Sequence, residues 1–223
     1  MAHMRRMTMA VLASGAIALA LPALAPATIT EVGVIAETTP ATVPSCPSSC
    51  EVVSRTTGFQ VKVGSTRSLL SAPREGTIVA WTITQGKPNA TQIKYLDTNE
   101  GGEAEAGIAV LAPQPKPNLT YKLVAQSPMV KLAPYFGKTA QFPLETTIPI
   151  KKGYVVALAV PTWAPALALN FANTTSWRAS RPRSGCRSTS AQSVQTTIGS
   201  AVQYYCLYQT ARLDYSATEI STP

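Results

Sequence analysis

The chain carries a single histidine, His3, and it lies ahead of the first apolar run. Everything after that run is histidine-free. This excludes Ser-His-Asp and Cys-His hydrolases, His-ligated zinc or copper, and any imidazole acting as general base. No G-x-x-x-x-G-K-[ST] loop and no dinucleotide fingerprint occurs, so nothing signals nucleotide chemistry. Charged residues are scarce, at 13%, so any electrostatic field is mild. Beyond residue 27 no apolar run is long enough to span a bilayer.

What is present begins with a targeting segment. Basic Arg5 and Arg6 precede an apolar core over residues 9–21, and small residues follow at 23–27. Cleavage is expected after Ala27. An uncleaved anchor is disfavoured by the short apolar run, and twin-arginine export by the weak context after the Arg pair. Of 19 Lys+Arg, Arg5 and Arg6 leave with the leader, so the remainder holds 17 against 11 Asp+Glu. That excess favours anionic surfaces without naming one, and no specific nucleic acid is implied.

The four cysteines, Cys46, Cys50, Cys186 and Cys206, suit an oxidising compartment. Three pairings are open. Cys46 with Cys50 and Cys186 with Cys206 are the shortest closures, the second contributing roughly 3 kcal/mol through loop entropy. A four-thiolate zinc site is the poorer reading, because neither pair has C-x-x-C spacing.

A chain of 223 residues with 45% hydrophobic composition suits one sizeable domain. Residues 28–45 are Thr/Pro/Ala/Val-rich without a period, which predicts a flexible linker before a domain at 46–223. Within that domain, residues 58–64 alternate, and residues 77–84 have the β-branched and aromatic content of a central strand, with Trp81 in the core. A turn at 86–89 leads to a hairpin partner at 91–96. Further strands are expected at 107–111, 118–124, 129–132, 140–142 and 166–171. Residues 155–160 read as a strand buried on both sides, entered through the solvated Lys151-Lys152-Gly153 tip. Two more strands, at 201–208 and 211–216, close the chain. About ten short strands and no helix after the leader predict an all-β fold: a single antiparallel β-sandwich, jelly-roll-like.

Two stretches attract functional readings. The loop 97–105 gathers Asp97, Asn99, Glu100, Glu103 and Glu105, oxygen donors of the kind Ca²⁺ accepts. Its spacing does not match an EF-hand, since Ile108 stands where the closing Glu belongs, so a solvated acidic loop is the competing reading. The polar stretch 172–200 is too long for an ordinary connection. It carries Trp177, Arg178, Arg181, Arg183 and Arg187, where guanidinium groups suit phosphate or carboxylate and an indole suits a sugar or base. In the strand that follows, Tyr204 and Tyr208 share the inward face of Cys206, and Tyr205 faces outward as a further contact candidate. A carboxylate-dependent glycan hydrolase is the alternative; it needs two acids about 5 to 10 Å apart, and its candidates are Glu51, Glu75, Glu145, Asp214 and Glu219. The sequons at Asn89, Asn118 and Asn173 matter only in a host that glycosylates on secretion.

On residues 76–81, 148–153 and 205–213 the mature domain resembles uncharacterised secreted β-sandwich proteins of high-GC Gram-positive bacteria. The resemblance implies compartment and fold, and brings no catalytic residues. The expectation is a secreted non-catalytic module that binds or decorates the cell envelope, recognising an anionic wall polymer or glycan, with calcium as the one cofactor considered.

Overall fold

Residues 155–160, Val-Val-Ala-Leu-Ala-Val, carry no polar side chain, and all six are buried. A strand apolar on both faces needs cover on both. The computed structural model, which describes residues 26–34, 44–46, 49–188 and 191–221, supplies it with a two-sheet arrangement. In chain order the strands are β1 (Thr28–Val32), β2 (Val53–Val63), β3 (Thr66–Arg67), β4 (Gly76–Thr84), β5 (Glu105–Pro113), β6 (Thr120–Gln126), β7 (Val130–Lys131), β8 (Thr139–Ile150), β9 (Val155–Ala164), β10 (Leu167–Ala168), β11 (Ser176–Ala179), β12 (Ala201–Gln203), β13 (Cys206–Gln209), β14 (Arg212–Leu213) and β15 (Tyr215–Ser221). Helix α1 (Ala90–Asn99) lies between β4 and β5.

A four-stranded sheet runs β1-β15-β4-β8, and a nine-stranded sheet runs β12-β6-β5-β9-β2-β11-β13 with β3 and β7 paired at its side. Every strand ladder is antiparallel. The fold is therefore all-β and sandwich-like. One core joins the sheets: Ile78, Trp81, Ile83 and Ile148 of the four-stranded sheet with Ile108, Leu111, Val156 and Leu158 of the larger one. Tyr215 ties them further, its hydroxyl reaching the carbonyls of Val156 (3.0 Å) and Gly58 (3.3 Å), and burial pushes that phenol up.

The Lys151-Lys152-Gly153 tip joins strands of different sheets, β8 and β9, rather than the arms of a hairpin. Gly153 sits at φ +80° and donates to Ala72 O, which holds the crossing in place. The cysteines pair as Cys46–Cys50 and Cys186–Cys206.

Three expectations are corrected. The segment 91–96 is helical, not a hairpin strand: Asn89 Oδ1 accepts from Gln92 N and Gln92 Oε1 accepts from Asn89 N, a reciprocal cap that starts a helix. The expected linker 28–45 contains β1, which pairs with β15 from Thr28↔Ser221 to Val32↔Ala217 and buries Val32; residues 35–43 lie outside the described residues, as do residues 1–25 of the expected 1–27 leader. Within 172–200, β11 lies between β2 and β13. Beyond it, buried Ser180 and Gln195 bond to Thr56 and Thr57 on β2, so this stretch is fastened to the sheet.

Candidate functional site

Strand β11 places its side chains alternately, so adjacent Trp177 and Arg178 face opposite sides of the large sheet. Trp177 is cross-strand partner of Tyr208 on β13, and their rings lie 4.7 Å apart with planes tilted by 32°. The indole fits because β2 carries Gly58 beneath it: a Cβ there would come within 2.8 Å of the ring. Trp177 is 5% exposed, and its buried Nε1–H has no acceptor in the protein.

Arg181, just past β11, is also buried. It donates to Ser54 O (2.8 Å) and to the Tyr208 hydroxyl (3.1 Å), which itself donates to Cys186 O (3.0 Å). The Cys186–Cys206 disulfide fastens this segment to β13. Trp177, Tyr208 and Arg181 thus wall a cleft of about 280 Å³, with Ser54, Leu169 and exposed Glu51 also lining it. It offers an aromatic surface and a fixed guanidinium, and the buried Trp177 N–H is unclaimed.

The remaining arginines divide. Arg178 donates to Tyr204 O (3.1 Å) and Tyr205 O (2.8 Å) on the other face, where burial lowers its pKa. It holds the backbone between β12 and β13. Arg183 is exposed, its guanidinium 5.5 Å from the centre of the half-buried Tyr205 ring, and Arg187 is exposed. The five basic and aromatic residues of 177–187 therefore do not form one anion patch. Trp177 and Arg181 come together, Arg178 and Arg183 gather at Tyr205, and Arg187 stands apart. Tyr208, expected on the inward face with Tyr204, is half-buried and belongs to the cleft. The cross-strand register that sets it there is not written in any local run.

The residues of the calcium set are engaged separately. Asp97 accepts from the Trp163 indole (3.0 Å), Asn99 donates to Tyr95 O and accepts from Arg55 at its carbonyl, and Glu100 pairs with Arg55 (3.8 Å). Glu103 (3.1 Å) and Glu105 (2.6 Å) share Lys131, which raises that ammonium's pKa. Every acid of the loop is engaged by another side chain, and among the described residues no three His, Cys, Asp or Glu are grouped to hold a metal.

Two of the hydrolase candidates sit in different surroundings. Glu145 is exposed on β8 and lines a cleft as its one carboxylate, while Asp214 is buried beside Arg212 (3.8 Å). Among the described residues no helix is long and apolar enough to cross a membrane. No family model matches the chain, and no curated protein or solved structure matches it.

Proposed function

We propose that the chain is a secreted, non-catalytic β-sandwich that binds the cell envelope, taking a wall glycan or anionic wall polymer at the Trp177–Tyr208 cleft. The observation that carries this reading is the buried Trp177 N–H, which has no protein acceptor and belongs to a ring stack lining a cleft. A sugar supplies both missing partners: its C–H face packs on an aromatic surface, and its oxygens accept from an indole N–H. Arg181, already oriented by Ser54 and Tyr208, adds donors suited to a carboxylate or phosphate on the polymer. The excess of 17 Lys+Arg over 11 Asp+Glu beyond the leader draws anionic polymers towards the surface. The disulfides suit an oxidising compartment outside the cytoplasm, and an origin in a high-GC Gram-positive bacterium is part of the same proposal.

Cosedimentation with isolated cell wall, intact and stripped of its anionic polymer, tests it. Wild-type protein is retained, and Trp177→Phe, which keeps a ring and deletes the N–H, loses about tenfold in retention. Melting temperature is measured alongside. Retention of the folded Trp177→Phe protein at the wild-type level, or no retention of wild type on either wall, rejects the cleft as the contact. Retention on stripped wall assigns a glycan, and its loss on stripping assigns the anionic polymer.

A further inference from the structure

A second cleft, of about 470 Å³, opens between edge strand β8 and the β6–β7 segment. Its shape follows from a break in register. Pairing of β4 with β8 reaches Ala80↔Pro143 and resumes at Ile78↔Ile148, so residues 144–147 stand opposite Val79 alone. The displaced stretch walls a cleft whose apolar lining includes Trp81, Phe142, Leu144 and Val130. Trp81 is fully buried with its ring 4.7 Å from that of Phe142, and Tyr135 packs edge-on against Phe142 at 5.0 Å. The aromatic surface is held from behind.

Besides the hydroxyls of Ser127, Thr146 and Thr147, the cleft presents two side-chain acceptors. Gln126 Oε1 is buried and accepts no hydrogen bond. Glu145 is exposed, and no ion pair engages it among the described residues. No basic side chain lines the cleft; Lys131, next to Val130, has its ammonium held by Glu103 and Glu105. A protein of net positive charge thus keeps a pocket with aromatic walls, an unmet amide acceptor and an uncompensated carboxylate. A strand-adding peptide does not suit it, because Pro143 and Pro149 lack the N–H groups an added strand needs from the β8 edge. An anion is repelled by Glu145. A compact apolar body with a cationic N–H head matches the aromatic wall, the Gln126 acceptor and the Glu145 carboxylate, and aromatic faces attract such a cation further.

We propose that the cleft between β8 and β6 binds a small organic ammonium, its apolar body against Trp81, Phe142 and Leu144 and its N–H head shared between Gln126 and Glu145. This site is separate from the Trp177 cleft and stands or falls independently of it.

Calorimetric titration of the whole protein near neutral pH with three probes that share a phenylethyl body tests this: 2-phenylethylammonium, 2-phenylethanol and 3-phenylpropionate. The ammonium is expected to bind best, the alcohol about fivefold more weakly, and the carboxylate not at all. Glu145→Gln lowers ammonium affinity about threefold and leaves the alcohol unchanged, as loss of an exposed charge partner predicts. Gln126→Leu weakens both by about tenfold. Glu145 is exposed on an edge strand, so its variant keeps the fold even if Gln126→Leu does not, and melting temperatures verify both. Binding of the carboxylate as well as the ammonium, no heat with the ammonium up to its solubility limit, or a folded Glu145→Gln protein that still discriminates charge as wild type does would each overturn the proposal.

Discussion

The Gln195 network of the nine-stranded sheet and Glu219 of the four-stranded one handle buried polar groups in opposite ways. In the nine-stranded sheet, Thr56 and Thr57 meet Ser180, Gln195 N donates to Thr57 Oγ1, and the Tyr204 hydroxyl donates to Gln195 Oε1 at 2.7 Å. All five are buried, and the Gln195 amide also donates to Ser200 O (2.8 Å) and Tyr121 O (3.1 Å). In the four-stranded sheet, Glu219 is 1% exposed between Thr30 of β1 and Ile78 of β4, and neither carboxyl oxygen has a partner. Burial alone pushes that carboxyl up. Around Gln195 the large sheet is a finished interior, whereas Trp177 Nε1 and Gln126 Oε1 elsewhere in it have no hydrogen-bond partner. The small one keeps unpaired acceptors and an open edge at β8, which is also where the proposed ammonium site lies.

Substitutions can break or sharpen this contrast. The largest effect is expected in β9, where Leu158 is fully buried at the centre of the large sheet: Leu158→Ala costs about 3 kcal/mol in urea denaturation, whereas half-buried Leu144→Ala on β8 costs under about 1 kcal/mol. Equal losses at the two positions would erase the distinction. Next comes the network. Gln195→Leu strands the Tyr204 hydroxyl and costs about 2 kcal/mol, and Tyr204→Phe in the same background recovers part of it. A double-mutant cycle reads that coupling, and additivity would mean that the hydrogen bonds act separately.

Glu219 gives a pH signature. Its folded pKa lies above the unfolded value, so the folded state holds the proton more tightly. The stabilisation is complete below the ordinary carboxylate range and is lost as pH rises through the folded value. Glu219→Gln removes this component, so the melting temperature of the variant minus that of wild type should grow from about pH 4 to about pH 8. A constant difference would show the carboxyl to be paired after all. Smallest is the rim: Arg183→Ala, which loses an exposed contact with Tyr205, changes stability by less than about 0.5 kcal/mol, against about 2 kcal/mol for Arg178→Ala, whose guanidinium holds two carbonyls. Similar losses would make the two arginines one structural unit.

How far the sequence reveals this protein depends on how local each signal is. Residues 77–84 and 155–160 are legible as strands because unbroken β-branched and apolar composition is a short-range property, and both disulfides are the shortest closures available. Helix α1 is masked by Ile93 and Tyr95, which favour strands, although Asn89 and Gln92 at capping-box spacing announce its start. Strand β11 is hidden because Trp177, Arg178 and Ala179 form too short a run inside polar sequence. For the sites, Trp177 and Arg181 are separated by little chain and can be nominated together. Tyr208 reaches them only through register, and Gln126 meets Glu145 only through the packing of two sheets.

The position of β15 has a consequence for how the chain reaches its native state. It lies between β1 and β4, and the ladder it makes with β1 includes a hydrogen bond from Thr28 N to Ser221 Oγ across 193 residues of sequence. A chain emerging N-terminus first therefore exposes both neighbours of β15 long before the strand that joins them arrives. Contacts of such range are slow to form. The small sheet therefore has to wait for the last strand, and the fold stays unfinished until residue 221 is available.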